Sequence, residues 1–177
     1  MRYTPHVVLR KIVRNQSERT TSPALIVLHA TEGHNRPGIA DLQSLGEWFD
    51  DPKAQASSHV ATDAEGYSAR YVDDERKAWH VAAYNSLALG IEQVGVSAEG
   101  GWTRAQYRET ARWIAYWSVK HGIPVRKGAV KDGYVTRSGV VRHSDLGVLG
   151  GNHDDPGAKY NVHLALALAR IYRARIA

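Results

Sequence analysis

The run Ala24-Leu25-Ile26-Val27-Leu28 sets the frame for the whole chain. Five consecutive apolar residues, followed at once by the polar loop Ala30-Thr31-Glu32-Gly33, have the length and composition of a fully buried strand. A strand of that kind belongs inside a sheet covered by other elements. The neighbouring patterns supply both. A strand is expected over His6 to Val13, then a polar turn from Asn15 to Ser22. In Ile39 to Asp50, Leu42, Leu45, Trp48 and Phe49 recur at helical spacing, and Pro52 ends the helix. Ser57 to Val72 reads as a hairpin around a turn at Asp63 to Gly66, and Ala78-Trp79-His80 as a further short strand. Residues 88–97 read as a central strand interrupted only by Glu92 and Gln93. Thr103, with Gln106 three residues on, marks a helix start; Tyr107, Ile114 and Trp117 give its buried face, and Gly122 before Pro124 its end. A last helix is expected over Val162 to Ile176, with Arg170, Arg173 and Arg175 in turns where they suit the helix dipole. The tryptophans are read mainly as core. The expected fold is α/β: a single domain with a mixed central β-sheet flanked by helices.

Composition bounds the chemistry. The 177 residues are enough for one domain with its own core, here taken as 1–177. With no cysteine, disulfides and thiolate metal sites are excluded, so a transition-metal site must be built from histidine and carboxylate. A formal charge of +5 and a pI near 9.5 favour polyanionic surroundings such as a bacterial wall, nucleic acid or a membrane surface, without choosing among them. Arg2, His6 and Arg10 break up the N-terminal apolar residues, so no signal peptide is read there, and no run approaches the roughly 18 residues of a membrane span. A soluble chain made in the cytoplasm is expected.

Two stretches gather residues that a core has little use for. His29 ends the buried run, at the mouth of a strand that the sheet would hold in place. In Val140 to Gly157, VVRHSDLGVLGGNHDDPG, a short apolar run delivers His143, and a loop loosened by Gly147, Gly150 and Gly151 returns with His153, Asp154 and Asp155 before the Pro156-Gly157 turn. The two ends of this stretch can offer ligands to one ion. A catalytic zinc takes three protein ligands and keeps one position open, and His29 is the obvious third donor. Taken alone, Glu92 reads as an exposed edge-strand carboxylate, and a lone histidine after a strand as a structural residue.

His29 after its strand, SSHVATDAEG followed by KAWHVA, the strand LGIEQVG, and the closing RHSD with DDPG together resemble the zinc-dependent N-acetylmuramoyl-L-alanine amidases of the type 2 family, which includes phage endolysins and the peptidoglycan recognition proteins. The similarity spans roughly residues 22 to 172. It implies cleavage of the amide between N-acetylmuramic acid and L-alanine in peptidoglycan, with Zn²⁺ held by His29, His143 and Asp155 and with Glu92 as the catalytic glutamate. Where the family often has a lysine two residues before the aspartate ligand, this chain has His153, which is assigned to the oxyanion. Where some members have a tyrosine before the histidine matching His59, Ser58 stands here, leaving Glu92 to handle the proton. Trp79, His80 and His59 are taken as substrate contacts, with His59 also able to orient a ligand or close the hairpin. Between adjacent carboxylates, Asp155 rather than Asp154 is chosen because it directly precedes Pro156-Gly157, as the ligand does in the family.

Two rival readings remain at this stage. One is a non-catalytic peptidoglycan-binding module of the same fold, which typically lacks a zinc ligand; all three are present here. The other is a metal-dependent nuclease, against which stand the lack of an aromatic-interleaved basic patch and of a carboxylate set suited to two magnesium ions. The expected partner is therefore cell-wall peptidoglycan and not nucleic acid. A monomer is expected, acting as the catalytic domain of a phage endolysin on the wall after release or outside the cell.

Overall fold

Strand β3 (Leu25–Ala30) lies inside a six-stranded sheet, between β7 (Ala88–Gln93) and β10 (Gly139–Arg142). The computed structural model describes residues 4–176. The sheet runs in the order β1, β5, β4, β7, β3, β10, where β1 is Val7–Arg10, β4 Val60–Thr62 and β5 Ser68–Arg70. The hairpin pair β4 and β5 is antiparallel, and every other neighbouring pair in this sheet is parallel. The mixed sheet flanked by helices is thus the observed architecture.

Alternation along the strands divides the core into two faces. On one face Ile26, Leu28, Leu89, Ile91, Val60 and Val140 meet Trp113, Ile114 and Trp117 of α2 (Arg104–His121) and Ala165, Leu166 and Ala169 of α3 (Val162–Ile176). On the other face Leu25, Val27, Ala88 and Val141 pack with Val81, Tyr84 and Leu146. Beside them, Ala61 and Ala69 are covered by Leu42 and Phe49 of α1 (Ala40–Asp50). This second face is covered by one short helix and by loops, which leaves room for a cleft at the carboxyl ends of β3, β7 and β10. Open α/β sheets place ligands at such strand ends.

Helix α2 starts as its sequence predicts. Thr103 Oγ1 accepts the Gln106 N–H at 3.1 Å, but the Gln106 side chain turns away to the Thr62 and Val94 carbonyls, both at 3.0 Å, so the cap works in one direction only. Gly122 closes the helix with φ of 70°. Within the expected turn from Asn15 to Ser22, Gln16–Glu18 forms strand β2, antiparallel to β6 (Arg76–Ala78). Three polar residues at an edge show no apolar alternation, so the pairing leaves no pattern to read. A second ribbon, β8 (Ala129–Lys131) with β9 (Tyr134–Arg137), joined by Asp132-Gly133, lies outside the elements expected from the sequence. Both turn residues have positive φ, 51° and 84°, which is the demand an Asp-Gly hairpin turn meets. No helix among the described residues is long and apolar enough to cross a membrane.

Candidate metal centre

The sheet register brings the first two histidines together. On β3, Leu25 and Val27 point to the cleft-bearing face, and two residues on His29 follows them. Arg142 of β10 pairs with Leu28, so His143, next in the chain, arrives beside His29. Glu92 is the register partner of His29 on β7 and emerges on the same face. Asp155 comes from outside the sheet. The loop that carries it turns at Gly147 and Gly151, with φ of 58° and 106°. It is then fastened at two points: the Asp155 carbonyl accepts the Ser144 N–H at 3.1 Å, and its Oδ2 accepts the Ala30 N–H at 3.1 Å.

The donor atoms converge. His29 Nδ1 lies 3.0 Å from His143 Nδ1 and 3.4 Å from Asp155 Oδ2, and His143 Nδ1 lies 3.0 Å from Asp155 Oδ1. Each ring has its other nitrogen engaged: His143 Nε2 donates to the Gly150 carbonyl at 2.8 Å, and His29 Nε2 meets His80 Nδ1 at 2.9 Å. A neutral imidazole with its proton on Nε2 presents a bare lone pair at Nδ1. Burial favours that neutral form at His29, lowering its pKa to about 4. Burial alone would raise the Asp155 carboxyl, but the neighbouring His143 and His29 rings outweigh it and hold the group ionised, well below the usual carboxylate range. Two lone pairs and a carboxylate aimed at one point repel one another unless a cation or proton lies among them. Ligand atoms around a tetrahedral zinc, at bonds of about 2 Å, lie about 3.3 Å apart, so this donor set fits that ion.

A cleft of about 880 Å³ opens over the three residues, lined also by Glu92, Trp79, His80 and His153. Glu92 sits on an interior strand, not at the edge that its sequence alone suggests. Lost hydration pushes its carboxyl well above the ordinary range, and the charges of Asp155 and Glu32 add to that. His153 stacks on His143, with centroids 4.3 Å apart and planes at 13°, and brings its Nδ1 to 3.7 Å from Asp155 Oδ1. Asp154 is exposed and takes no part in the cluster, while Asp155 is buried within it. Trp79 lines the cleft and donates from Nε1 to Ser17 Oγ at 3.0 Å.

Of the other expected substrate contacts, His80 lines the cleft and His59 does not. His59 is wholly buried and does not reach the cleft. Its Nδ1 accepts the Gly90 N–H at 3.0 Å and its Nε2 lies 3.2 Å from the Arg76 carbonyl, so both nitrogens serve the protein. Burial keeps it neutral, with a pKa of about 3. His80 reaches the cleft with its ring, but Nδ1 is turned to His29 and Nε2 is buried without a partner, so neither nitrogen is presented to a bound molecule. Conversely, Trp48, expected among the core tryptophans, is 52% exposed and lines the cleft with Leu45 and with Arg36, which is paired to Asp41. Helical spacing puts Trp48 on the apolar stripe, and only the position of the cleft tells that this flank of it faces open space.

The N-acetylmuramoyl-L-alanine amidase family, Amidase_2, matches residues 19–158. A comparison with curated protein sequences returns no match. Among solved structures, the chain is similar to an AmpD derivative, with a TM-score of 0.69 and 21% identity over 90% of this chain and 93% of that one. It is similar to the hydrolase AmiA of Staphylococcus aureus, at 0.70 and 17% over 98% and 86%, and to the N-acetylmuramoyl-L-alanine amidase LysC of Clostridium intestinale, at 0.64 and 19% over 93% and 97%. At these identities the structural likeness speaks for the fold, and the family match over most of the chain speaks for descent. Its strand order, its cleft and its His-His-Asp cluster accord with that match, and the chain belongs to the type 2 family of N-acetylmuramoyl-L-alanine amidases.

Proposed function

We propose that the chain is a zinc-dependent amidase that hydrolyses the bond between the lactyl group of N-acetylmuramic acid and L-alanine in peptidoglycan, and that residues 1–177 act as one catalytic domain. The observation that carries this reading is the convergence of His29 Nδ1, His143 Nδ1 and an Asp155 carboxylate, with both Nε2 atoms already engaged, on the floor of a cleft that also holds Glu92. A binding module that needs only to hold glycan or peptide has no use for this donor set beside a desolvated glutamate.

His29, His143 and Asp155 would hold the ion, which supplies Lewis-acid polarisation of the carbonyl and an acidified water. The remaining work falls to the protein's own groups. Glu92, made basic by its surroundings, accepts the proton of the attacking water and passes it to the departing amine of L-alanine. His153, half out in the cleft against the His143 ring, would donate to the developing oxyanion. Trp79 and Trp48 offer apolar walls on which a sugar or peptide segment can rest.

The test is the release of new amino termini from purified cell walls. Wild-type protein should release them, chelation should stop the release, and added zinc should restore it. Wall binding without release would favour the non-catalytic module, and nicking of plasmid DNA in its place would favour the nuclease.

A further inference from the structure

We infer that His80 is a positioning residue for the metal centre: its Nδ1 accepts the Nε2–H of His29 and so keeps the bare Nδ1 of His29 turned to the ion. This rests on the zinc amidase reading given above. The two nitrogens lie 2.9 Å apart, with ring centroids at 5.1 Å and planes at 69°. A neutral imidazole carries one ring proton, so the direction of this bond decides what His29 offers the cluster. If His80 donated instead, the His29 proton would move to Nδ1, where it would meet His143 Nδ1 at 3.0 Å and Asp155 Oδ2 at 3.4 Å. That tautomer is closed to a cation. With His80 accepting, the lone pair is free, and the partner of a ligating histidine is thereby a second imidazole in place of the usual carboxylate or carbonyl.

The surroundings hold the His80 ring to this task. The N–H groups of His80 and Val81 both donate to Asn85 Oδ1, at 2.9 and 2.7 Å, which fixes the backbone on either side. The ring then lies over the backbone of Gly90, where an added Cβ would come within 2.7 Å of His80 Nδ1 and 2.9 Å of its Cε1. Glycine at this strand position is therefore required by a close approach and not by its backbone angles. Behind the ring stands His59, edge-on at 5.6 Å and itself tied to the Gly90 N–H. His80 Nε2, buried without a partner, carries the one proton left to the ring, and protein that tolerates an orphan donor there gains an acceptor at Nδ1.

Two replacements separate acceptor from filler. His80→Asn puts an amide oxygen near the place of Nδ1, and His80→Phe fills the ring's space with no acceptor. Zinc affinity is read by competition with a chromophoric chelator, the melting temperature is taken on metal-free protein, and the His29 tautomer is read from its ring nitrogen chemical shifts. The expected result is that His80→Phe binds zinc 10- to 100-fold more weakly and loses the pure Nε2–H form of His29, while its metal-free melting temperature stays near the wild-type value. His80→Asn should recover most of the affinity. Wild-type affinity and an unchanged His29 tautomer in His80→Phe would overturn the inference while leaving the zinc reading intact. Equal weakening in both variants would overturn it as well, since that marks a packing effect. A wild-type chain that takes up no zinc would instead remove the amidase reading, and this inference with it.

Discussion

Replacement of Gly90 by alanine tests the packing beneath the metal centre with a single methyl group. Built on the existing backbone, the new Cβ would lie 2.5 Å from Ser58 Oγ, 2.7 Å from His80 Nδ1 and 2.9 Å from His80 Cε1. Ser58 can answer by rotation, because its hydroxyl is buried without a hydrogen-bond partner and loses nothing on moving. The His80 ring cannot, held between His29, His59 and the Asn85 clamp. Ordinary contact requires it to retreat by about 0.7 Å or more, enough to break or badly misalign a bond that now measures 2.9 Å. Overpacking of this kind costs about 1–3 kcal/mol, which in a chain of this size lowers the melting temperature by about 2–12 °C. Loss of the His29 partner should weaken zinc by about tenfold or more. Calorimetry on metal-free protein reads the first effect and chelator competition the second. The double variant Ser58→Ala with Gly90→Ala removes the hydroxyl contact but not the ring contact, so it should regain some stability and none of the zinc affinity. A Gly90→Ala protein with wild-type melting and wild-type zinc affinity would show that the ring has slack, and the reasoning would fail.

Glu92→Gln keeps size and polarity but cannot take the water's proton, so turnover on cell walls should fall by about 10²-fold or more while zinc content and wall binding persist; near-normal turnover would pass the proton to another group. Asp155→Ala should lose zinc and Asp154→Ala keep it, as metal analysis of the two purified variants will show, because only Asp155 is buried against the histidines. Far from the cleft, Asp74 is fully buried and ion-paired with Arg70 at 3.0 Å and Lys120 at 2.8 Å. Burial raises its carboxyl, but these two cations outweigh that and hold it below the usual range. Its contribution is therefore complete above the ordinary carboxyl pKa of about 4 and drains away as pH falls below that towards the folded-state value. Asp74→Asn should cost about 3 kcal/mol in urea unfolding at pH 7, and the gap to wild type should narrow at pH 3; a gap of the same size at both would refute the ion-pair account.

What the sequence made legible was what a short-range pattern encodes. The buried run ending in His29, the Thr103 to Gly122 helix and the terminal helix from Val162 each carry their own periodicity or cap, and each stands where it was expected. That His29, His143 and the returning loop could share one ion was legible from strand ends and glycines, whereas the choice of Asp155 over Asp154 came from the family resemblance. Roles that depend on which way a ring turns were not legible. His59 and His80 share a motif-rich neighbourhood, yet one is buried away from the cleft and the other faces His29, and spacing says nothing of either. Trp48 failed for the converse reason, since a helical stripe gives a direction but not the edge of the cover above it. The Asp132-Gly133 turn did carry a readable signal, in the dipeptide itself, between strands too short to draw attention.

Under the zinc reading proposed above, the fastening of Asp155 bears on how the ion would be acquired. Its carbonyl and carboxylate are both bonded to main-chain N–H groups, of Ser144 and Ala30, through contacts that involve no metal. Asp155 is thus held by main-chain donors on two sides, a fastening that would keep the glycine loop in place with the ion removed. In small zinc modules, folding and metal uptake are a single event, and chelation unravels the chain. Here the two events should come apart. A chelated sample should remain a protease-resistant globule that idles without its ion, and return to work as fast as zinc can diffuse down the cleft.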